Sequence, residues 1–202
     1  MVKNIVFDMG GVLIDLNVRR TVEEHFPEEY CEDIINNVFY GEEWRLMDAG
    51  LMRPAEAKAR LLPRYPEEIR PLLGEMINNF YPYMPPIAET ERFVARLKKA
   101  GYKIYLLSNA TPRVFDEYHN IPAFKYFDGM FVSALYKLLK PSAEIYNAFC
   151  DKFSLKAEEC FFIDDMEANI KGAKACGMKG FVFDTRDYEA LEKALNDEKV
   201  IF

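Results

Sequence analysis

The segment KNIVFDMGGVLID, Lys3 to Asp15, decides how the chain folds. Its residues Ile5-Val6-Phe7 form a continuous apolar run, which is typical of a buried strand in a parallel sheet. The run ends on a carboxylate, Asp8, and a glycine pair, Gly10-Gly11, follows. An acid at the end of a buried strand is unfavourable unless it is paired or bound to a metal. The segment therefore predicts a strand that delivers Asp8 to a functional site.

Further apolar runs along the chain have the same unbroken character. They are Lys103–Leu107, Met130–Val132, Cys160–Ile163 and Gly180–Phe183. Helical patterns alternate with them, most clearly over Ala88–Ala100 and Glu167–Cys176, each of which is followed by a glycine. Alternating strands and helices predict an α/β fold, a Rossmann-like doubly wound parallel sheet.

One stretch breaks this alternation. From Leu16 to Tyr83 no run is typical of a strand, and prolines and glycines divide the stretch into short helical patterns. We interpret this stretch as a helical cap inserted after the first strand. The predicted boundaries place residues 1–15 and 86–202 in the Rossmann-like core and residues 16–85 in the cap.

The overall charge limits the partners that the chain can bind. Acids outnumber bases by 33 to 26 in the 202 residues, which gives a formal charge of −7. A general nucleic-acid binder needs a basic face, so we expect no nucleic acid. No apolar run approaches the roughly 20 residues that span a bilayer, and no secretory signal is recognisable, so we expect a cytoplasmic protein without a membrane partner. The sequence indicates no particular protein partner.

Polar residues follow three of the predicted strands. Asp8 follows the first, Ser108-Asn109 the second and Asp164-Asp165 the fourth, and Lys140 precedes a proline in the loop between the last two. In open parallel sheets, ligands bind beyond the carboxyl ends of the strands. We therefore expect these side chains to meet at one edge of the sheet.

The residue types favour Mg²⁺ and a phosphate. Asp8 and Asp165 can supply carboxylates to Mg²⁺, and the turn at the glycine pair can aim a backbone carbonyl at the same ion. The Ser108 hydroxyl, backbone N–H groups and Lys140 suit phosphate oxygens. Attack of Asp8 on phosphorus would give an aspartyl-phosphate.

Four segments together resemble the motifs of the haloacid dehalogenase superfamily, in order. They are FDMGGVLID, LLSNA, LLKPSAEIY and FFIDDMEANIKGAKACGM, spread from Phe7 to Met178. The insertion between the first two lies where that superfamily carries a helical cap. Within the superfamily, the chain is similar to small-cap phosphatases that act on sugar phosphates such as glucose 1-phosphate.

The resemblance implies a role for each residue. Asp8 would be the nucleophile, and the Gly10 carbonyl and Asp165 would hold Mg²⁺ with it. Asp164 would orient Lys140 or a metal-bound water. Ser108, with the backbone at Asn109 and Ala110, would cradle the phosphoryl group. Lys140 would neutralise both the nucleophile and the phosphate. Asn169, one helical turn beyond Asp165, would help to position the cluster.

Gly10 departs from the superfamily's usual pattern. That position commonly carries a second acid, which protonates the leaving oxygen and then activates water. General acid–base help of this kind is typically worth about 10²–10⁴-fold in rate. We therefore expect good leaving groups to be favoured, unless a cap residue such as Glu43, or a metal-bound water, supplies the proton.

The segment FYGEEWRLMDAG, Phe39 to Gly50, is the part of the cap that suggests a substrate contact. Trp44 is the only tryptophan, and Tyr40 and Arg45 lie close to it in sequence. We predict that Trp44 shapes the pocket for the leaving group, with a place in the core of the cap as the alternative.

These observations predict a Mg²⁺-dependent phosphoric monoester hydrolase that acts on a small phosphorylated metabolite, for example a sugar phosphate. Two alternatives remain open. The glycine at position 10 is compatible with a catalytically weak phosphate-binding or interaction protein. A haloacid dehalogenase needs neither the metal nor the second acid, but the Asp164-Asp165 pair argues against it. A phosphomutase ranks low because it needs the acid that Gly10 lacks.

Overall fold

The computed structural model describes residues 1–202, and its core is one sheet of five parallel strands. The strands are β1 (Asn4–Phe7), β2 (Lys103–Ser108), β3 (Gly129–Val132), β4 (Cys160–Asp164) and β5 (Lys179–Val182). Their spatial order is β3-β2-β1-β4-β5. The predicted doubly wound α/β fold is confirmed, and each predicted strand lies within one residue of its observed position.

Ten α-helices surround or extend the sheet. They are α1 (Val18–His25), α2 (Glu28–Ile34), α3 (Glu42–Asp48), α4 (Pro54–Leu61), α5 (Arg70–Asn78), α6 (Ala88–Lys99), α7 (Ser133–Tyr136), α8 (Ala143–Phe153), α9 (Glu167–Ala175) and α10 (Tyr188–Asp197). A π-helix, Ile35–Phe39, continues α2, and short 3₁₀ turns connect several other elements.

Burial of both faces explains why the strands are apolar without alternation. In β1, Ile5 and Phe7 pack into the larger apolar cluster on one face of the sheet. Val6, between them, packs into a second cluster on the other face, together with Tyr146 and Phe149 of α8. Successive side chains of a strand point to opposite faces, so both faces need apolar residues.

The central strand determines where a ligand can bind. The chain builds β1, β2 and β3 outward on one side and then returns to place β4 on the other side of β1. The strand order therefore reverses between β1 and β4, and such a switch point leaves a crevice beyond the carboxyl ends of the strands. Asp8 and Asp164-Asp165 occupy these two strand ends.

Helices α1 to α5 all lie between β1 and α6, in the stretch where the sequence predicts a cap. The chain leaves and re-enters the core through two paired linkers. The Asp15 N–H donates to the Pro85 carbonyl at 2.8 Å, and the Ile87 N–H donates to the Leu13 carbonyl at 2.9 Å. The domain boundaries at 15/16 and 85/86 stay a prediction. None of the helices is long and apolar enough to cross a lipid bilayer.

The end of α3 is held against the core. Ser133 Oγ donates to the Asp48 carbonyl at 2.6 Å and accepts from the Ala110 N–H at 2.9 Å. Two residues later, Gly50 has a φ of +66°, and a Cβ there would lie 2.0 Å from the carbonyl oxygen of Ala134. The backbone of the cap therefore approaches the backbone of the core as closely as the absence of a side chain permits.

We expect Gly50→Ala to destabilise the protein more than Gly101→Ala. Both glycines have positive φ, so both substitutions add left-handed strain of about 1–2 kcal/mol. Only Gly50 also meets backbone, whereas a Cβ at Gly101 has no neighbour within 4 Å. Chemical denaturation of both variants measures the difference, and equal losses would contradict the close contact between Gly50 and the Ala134 backbone.

Candidate active site

The predicted site residues of the core meet around one cavity. It has a volume of about 270 Å³ and lies between the carboxyl edge of the sheet and the cap. Its core side includes Asp8, Gly10, Ser108, Asn109, Lys140, Asp165 and Asn169. Asp164 lies beneath the cavity and is completely buried. The four sequence motifs thus contribute to one place, as the parallel sheet requires.

Lys140 is the centre of a buried ionic cluster. Its side chain is 1% exposed, and its Nζ lies 2.8 Å from Asp8 Oδ1 and 2.7 Å from Asp164 Oδ2. Burial alone would lower the pKa of Lys140, but the two carboxylates outweigh it, and the pKa is raised. The lysine therefore remains a cation, and its charge compensates the two acids.

Asp164 has a supporting place in this cluster. Its carboxylate accepts hydrogen bonds from Asn169 Nδ2 at 2.9 and 3.0 Å, from the Met166 N–H at 2.8 Å and from Lys140. Both oxygens are thus engaged by the protein itself. This geometry suits the predicted task of orienting Lys140, and it explains why Asn169 is buried beside it.

The side chain of Asn109 holds the loop that carries Lys140. Its Oδ1 accepts from the Lys140 N–H at 2.9 Å, and its Nδ2 donates to the Lys140 carbonyl at 3.2 Å. The amide therefore fixes the lysine main chain, while the predicted cradle for phosphate rests on backbone groups and on Ser108. Ser108 is buried and borders the cavity.

The acids of the first and fourth motifs fit Mg²⁺. Asp8, Asp164 and Asp165 each place a carboxylate oxygen within 4.8 Å of the others. Asp8 Oδ1 is buried and, although Lys140 Nζ is close, the angle between them is not that of a hydrogen bond, so this oxygen has no hydrogen-bond partner. A hard cation suits such an all-oxygen set with one unsatisfied buried oxygen.

Burial and neighbouring acids change the proton affinity of this set. Burial raises the pKa of Asp8 to about 7, and Asp164 and Asp165 add to the rise against the opposing effect of Lys140. The pKa of Asp165 is also raised, first by burial and then by Asp164. A divalent cation would relieve this repulsion, because it favours the ionised carboxylates.

The two glycines after Asp8 have different reasons to be glycine. Gly11 has a φ of +71°, and a Cβ there would lie 2.4 Å from Asp165 Oδ2. Gly10 has no such backbone constraint, and its Cβ would meet only the end of the flexible Leu16 side chain, at 2.7 Å. The local structure therefore requires Gly11 but not Gly10.

The cap side of the cavity is mainly apolar and aromatic. Trp44 lines it and also packs against Phe39 and Phe80, with ring centroids 5.0 and 5.9 Å away. Trp44 thus both lines the cavity and packs in the core of the cap, the two places that the sequence offered as alternatives. Arg45 is exposed and does not border the cavity.

Sequence reasoning missed one cap acid. Asp48, the last residue of α3, lines the cavity. Burial raises its pKa to about 7, and the charge of Asp8 adds to that rise while Lys140 opposes it. Glu43, suggested by the sequence as a cap acid, instead lies 3.5 Å from Arg64 and outside the cavity. The only signal in the sequence for Asp48 is its position two residues before Gly50, the glycine that contacts the Ala134 backbone.

Comparisons with known proteins agree with this geometry. The sequence model of the haloacid dehalogenase-like hydrolases matches residues 2–177. Because this match covers most of the chain, the chain belongs to the haloacid dehalogenase-like hydrolase family.

Relatives and solved structures are similar along nearly the whole chain. The sesquiterpene phosphatase astK of Aspergillus oryzae is 28% identical over 187 residues, 88% of each protein. A D-ribitol-5-phosphate phosphatase of Bacteroides thetaiotaomicron is 24% identical over 195 residues, 90% of this chain and 91% of that protein. A crystal structure of a HAD family enzyme from Bacteroides thetaiotaomicron, in complex with magnesium and inorganic phosphate, matches with a TM-score of 0.72 at 24% identity, over 90% of this chain and 93% of that one. The structural likeness shows the shared fold.

We expect Lys140→Met to destabilise the metal-free protein by about 3–5 kcal/mol, because it leaves two buried carboxylates without their cation. The loss should grow as the pH rises above about 7. In the folded wild type the pKa of Asp8 is about 7 against 3.8 ordinarily, so below that pH folded Asp8 keeps its proton with or without Lys140. Removal of Lys140 raises the pKa of Asp8 further, so above about pH 7 only the variant continues to lose stability, because its folded state still holds a proton that the unfolded chain has released.

Lys3→Met provides the matched control, because Lys3 pairs with Glu159 on the surface. Exposed pairs contribute little, so this variant should unfold like the wild type at every pH. Urea denaturation across the pH range compares the three proteins. A Lys140→Met variant as stable as Lys3→Met would contradict the buried ionic cluster.

Proposed function

We propose that this haloacid dehalogenase-like hydrolase is a Mg²⁺-dependent phosphatase that cleaves a small phosphorylated metabolite through an aspartyl-phosphate on Asp8. The chain is an enzyme of the phosphoric monoester hydrolase class. The observation that carries the proposal is the cluster of Asp8, Lys140 and Asp165 on the floor of a cavity that the cap covers.

The chain's own residues suggest how the phosphoryl group is transferred. Asp8 attacks phosphorus, the bond from phosphorus to the leaving oxygen breaks, and the phosphoryl group is carried as an acyl phosphate. Lys140, held as a cation, favours the ionised form of Asp8 and offsets charge on the phosphoryl oxygens. The Ser108 hydroxyl and nearby backbone N–H groups bind those oxygens.

The same residues fit the proposed metal. Asp8, Asp165 and the backbone carbonyl of Gly10 would hold Mg²⁺, and Asp164 would keep Lys140 and Asn169 in place behind them. When bound, the ion supplies positive charge that stabilises the transferring phosphoryl group.

The cavity indicates the kind of leaving group. Lys140 is the only lysine or arginine that lines it, so the site offers cationic charge for one phosphoryl group. The remainder of the lining on the cap side includes Phe39, Trp44 and Phe80. We therefore propose a monophosphate whose leaving group is uncharged and has substantial apolar surface. The named activities of the relatives, on a sesquiterpene and on ribitol 5-phosphate, span apolar and polar leaving groups.

A sugar phosphate stays a prediction of the sequence, and it ranks second, because the cap side of the lining is mainly apolar. The polar side chains on that side are Tyr40, Asp48, Asn78, Asn79 and Tyr81. A phosphate-binding protein of weak activity is the second candidate function, and Gly10 is the observation that favours it. The cytoplasmic location and the absence of nucleic-acid partners also stay predictions.

We expect Mg²⁺ to support hydrolysis of an aryl phosphate and to raise the melting temperature above pH 7. Mg²⁺ at 100 times its dissociation constant should add about 2.7 kcal/mol of stability. Asp165→Ala should lose both effects, because one carboxylate is too few to hold the ion against water. Glu167→Gln should keep both, since Glu167 is exposed and pairs with Lys171.

A steady-state assay with and without a chelator measures the Mg²⁺ dependence of hydrolysis, and thermal denaturation measures the effect of Mg²⁺ on the melting temperature. Full activity in chelator would contradict the metal while leaving the phosphatase. Mg²⁺ binding without any hydrolysis would favour the phosphate-binding protein.

We expect Trp44→Ala to change the order of preference among substrates, because it removes apolar surface from the leaving-group side of the cavity. kcat/KM should fall more for phosphates with large apolar leaving groups than for small polar ones, such as sugar phosphates. Trp44→Phe should retain most of the preference, because a ring remains against Phe39 and Phe80. A panel of monophosphates measures the order. If Trp44→Ala only lowers the melting temperature, Trp44 serves the core of the cap alone.

A further inference from the structure

Proton transfer to the leaving oxygen is the step for which the core provides no group. When phosphorus passes to Asp8, the leaving oxygen gains negative charge and needs a proton unless it is a weak base. Gly10 has no side chain to supply one. The donor must therefore come from another residue that borders the cavity.

Few groups around the cavity can donate that proton. The acids that line it are Asp8, Asp48 and Asp165, and two of these are the proposed nucleophile and metal ligand. Lys140 keeps its proton between two carboxylates. Burial raises the pKa of Tyr81 far above neutrality, and Tyr40 is 69% exposed at the mouth. Asp48 is the remaining candidate.

The backbone of Asp48 is fixed relative to the core. The Ser133 hydroxyl joins the Asp48 carbonyl to Ala110, which follows the phosphate-binding Ser108-Asn109 segment. Gly50 seats the next turn against the carbonyl of Ala134. The cap acid is thus held by its backbone against the core, and it borders the same cavity as Asp8.

The carboxyl group of Asp48 is also available for proton transfer. The charged groups that act on it are Asp8 and Lys140, and Tyr81, on the segment after α5, lines the same cavity. None of these forms an ion pair or a hydrogen bond with it. Its pKa, raised to about 7 chiefly by burial, allows it both to give and to take a proton near neutrality.

We propose that Asp48 is the general acid and base of the reaction and supplies from the cap the function that Gly10 lacks in the core. This inference rests on the proposed phosphatase function. As Asp8 bonds to phosphorus and the leaving oxygen departs, the proton of the Asp48 carboxyl passes to that oxygen. The resulting carboxylate then takes a proton from water as the water oxygen attacks the acyl phosphate. Phosphate leaves, and both Asp8 and protonated Asp48 are regenerated.

Asp48→Asn tests the proposal, because the amide keeps the shape but cannot transfer the proton. With Mg²⁺ present, its kcat/KM for an alkyl phosphate should fall about 10²–10⁴-fold. Its kcat/KM for 4-nitrophenyl phosphate should stay close to the wild-type value, since 4-nitrophenolate leaves without a proton. Its kcat should still fall, and a burst of one 4-nitrophenol per active site should precede slow turnover.

Glu43→Gln is the matched control, because Glu43 lies on the same helix but pairs with Arg64 outside the cavity. It should behave as the wild type with every substrate. Gly10→Asp in the Asp48→Asn background should restore part of the alkyl phosphate activity, since a side chain at Gly10 meets only the end of Leu16. Thermal unfolding verifies the fold of each variant, and Asp48→Ala serves as a second variant.

The possible outcomes separate this inference from the proposed function. Equal loss of kcat/KM for all leaving groups, or no loss for the alkyl phosphate, would overturn the role of Asp48 while the phosphatase remains. A wild-type protein that hydrolyses no phosphate ester with Mg²⁺ would overturn the proposed function itself.

Discussion

Lys140 carries one positive charge into the interior and shares it between Asp8 and Asp164. Charges removed from water are costly, and close pairing and further hydrogen bonds are needed to offset that cost. The surrounding structure provides both. Asn109 fixes the main chain of the lysine, and Asn169 and the Met166 N–H satisfy Asp164. Asp8 follows β1, Asn109 follows β2, and Asp164, Met166 and Asn169 lie at the end of β4 and just after it, so the ionic cluster joins strand ends that are far apart in sequence.

The cluster also explains the chemistry available at the cavity floor. With Asp164 fully engaged, Asp8 and Asp165 are the carboxylates left to face the cavity, and one buried oxygen of Asp8 lacks a hydrogen-bond partner. The cap contributes what the core does not have. It adds an apolar surface around Trp44 and one acid, Asp48, whose backbone is tied to the core through Ser133. The division between a polar floor and an apolar roof suits a phosphate ester with an uncharged organic group.

Much of this arrangement could be predicted from the sequence, because strand ends are local features. The apolar run before Asp8 and the run before Asp164 predict strands, and parallel strands end at one edge of a sheet. The place of Asp48 could not be predicted in the same way. It depends on how the helical cap packs on the core, and the hydrophobic periodicity of the sequence does not predict that contact. Glu43, suggested by the sequence together with a metal-bound water as an alternative donor, lies in the same helix but pairs with Arg64 and does not border the cavity. The sequence also does not distinguish Gly10 from Gly11, although only Gly11 has a positive φ beside Asp165.

The central claim is that Asp8, held by Lys140, carries the phosphoryl group during turnover. Acid quenching of the enzyme during hydrolysis of an aryl phosphate with Mg²⁺, followed by mass spectrometry of the intact protein and its peptides, measures this directly. We expect a fraction of the protein to gain the mass of one phosphoryl group, located on Asp8, and Asp8→Asn to gain none. An enzyme that turns over without any such adduct, even in the slow phase of Asp48→Asn, or that carries it on another residue, would contradict the claim.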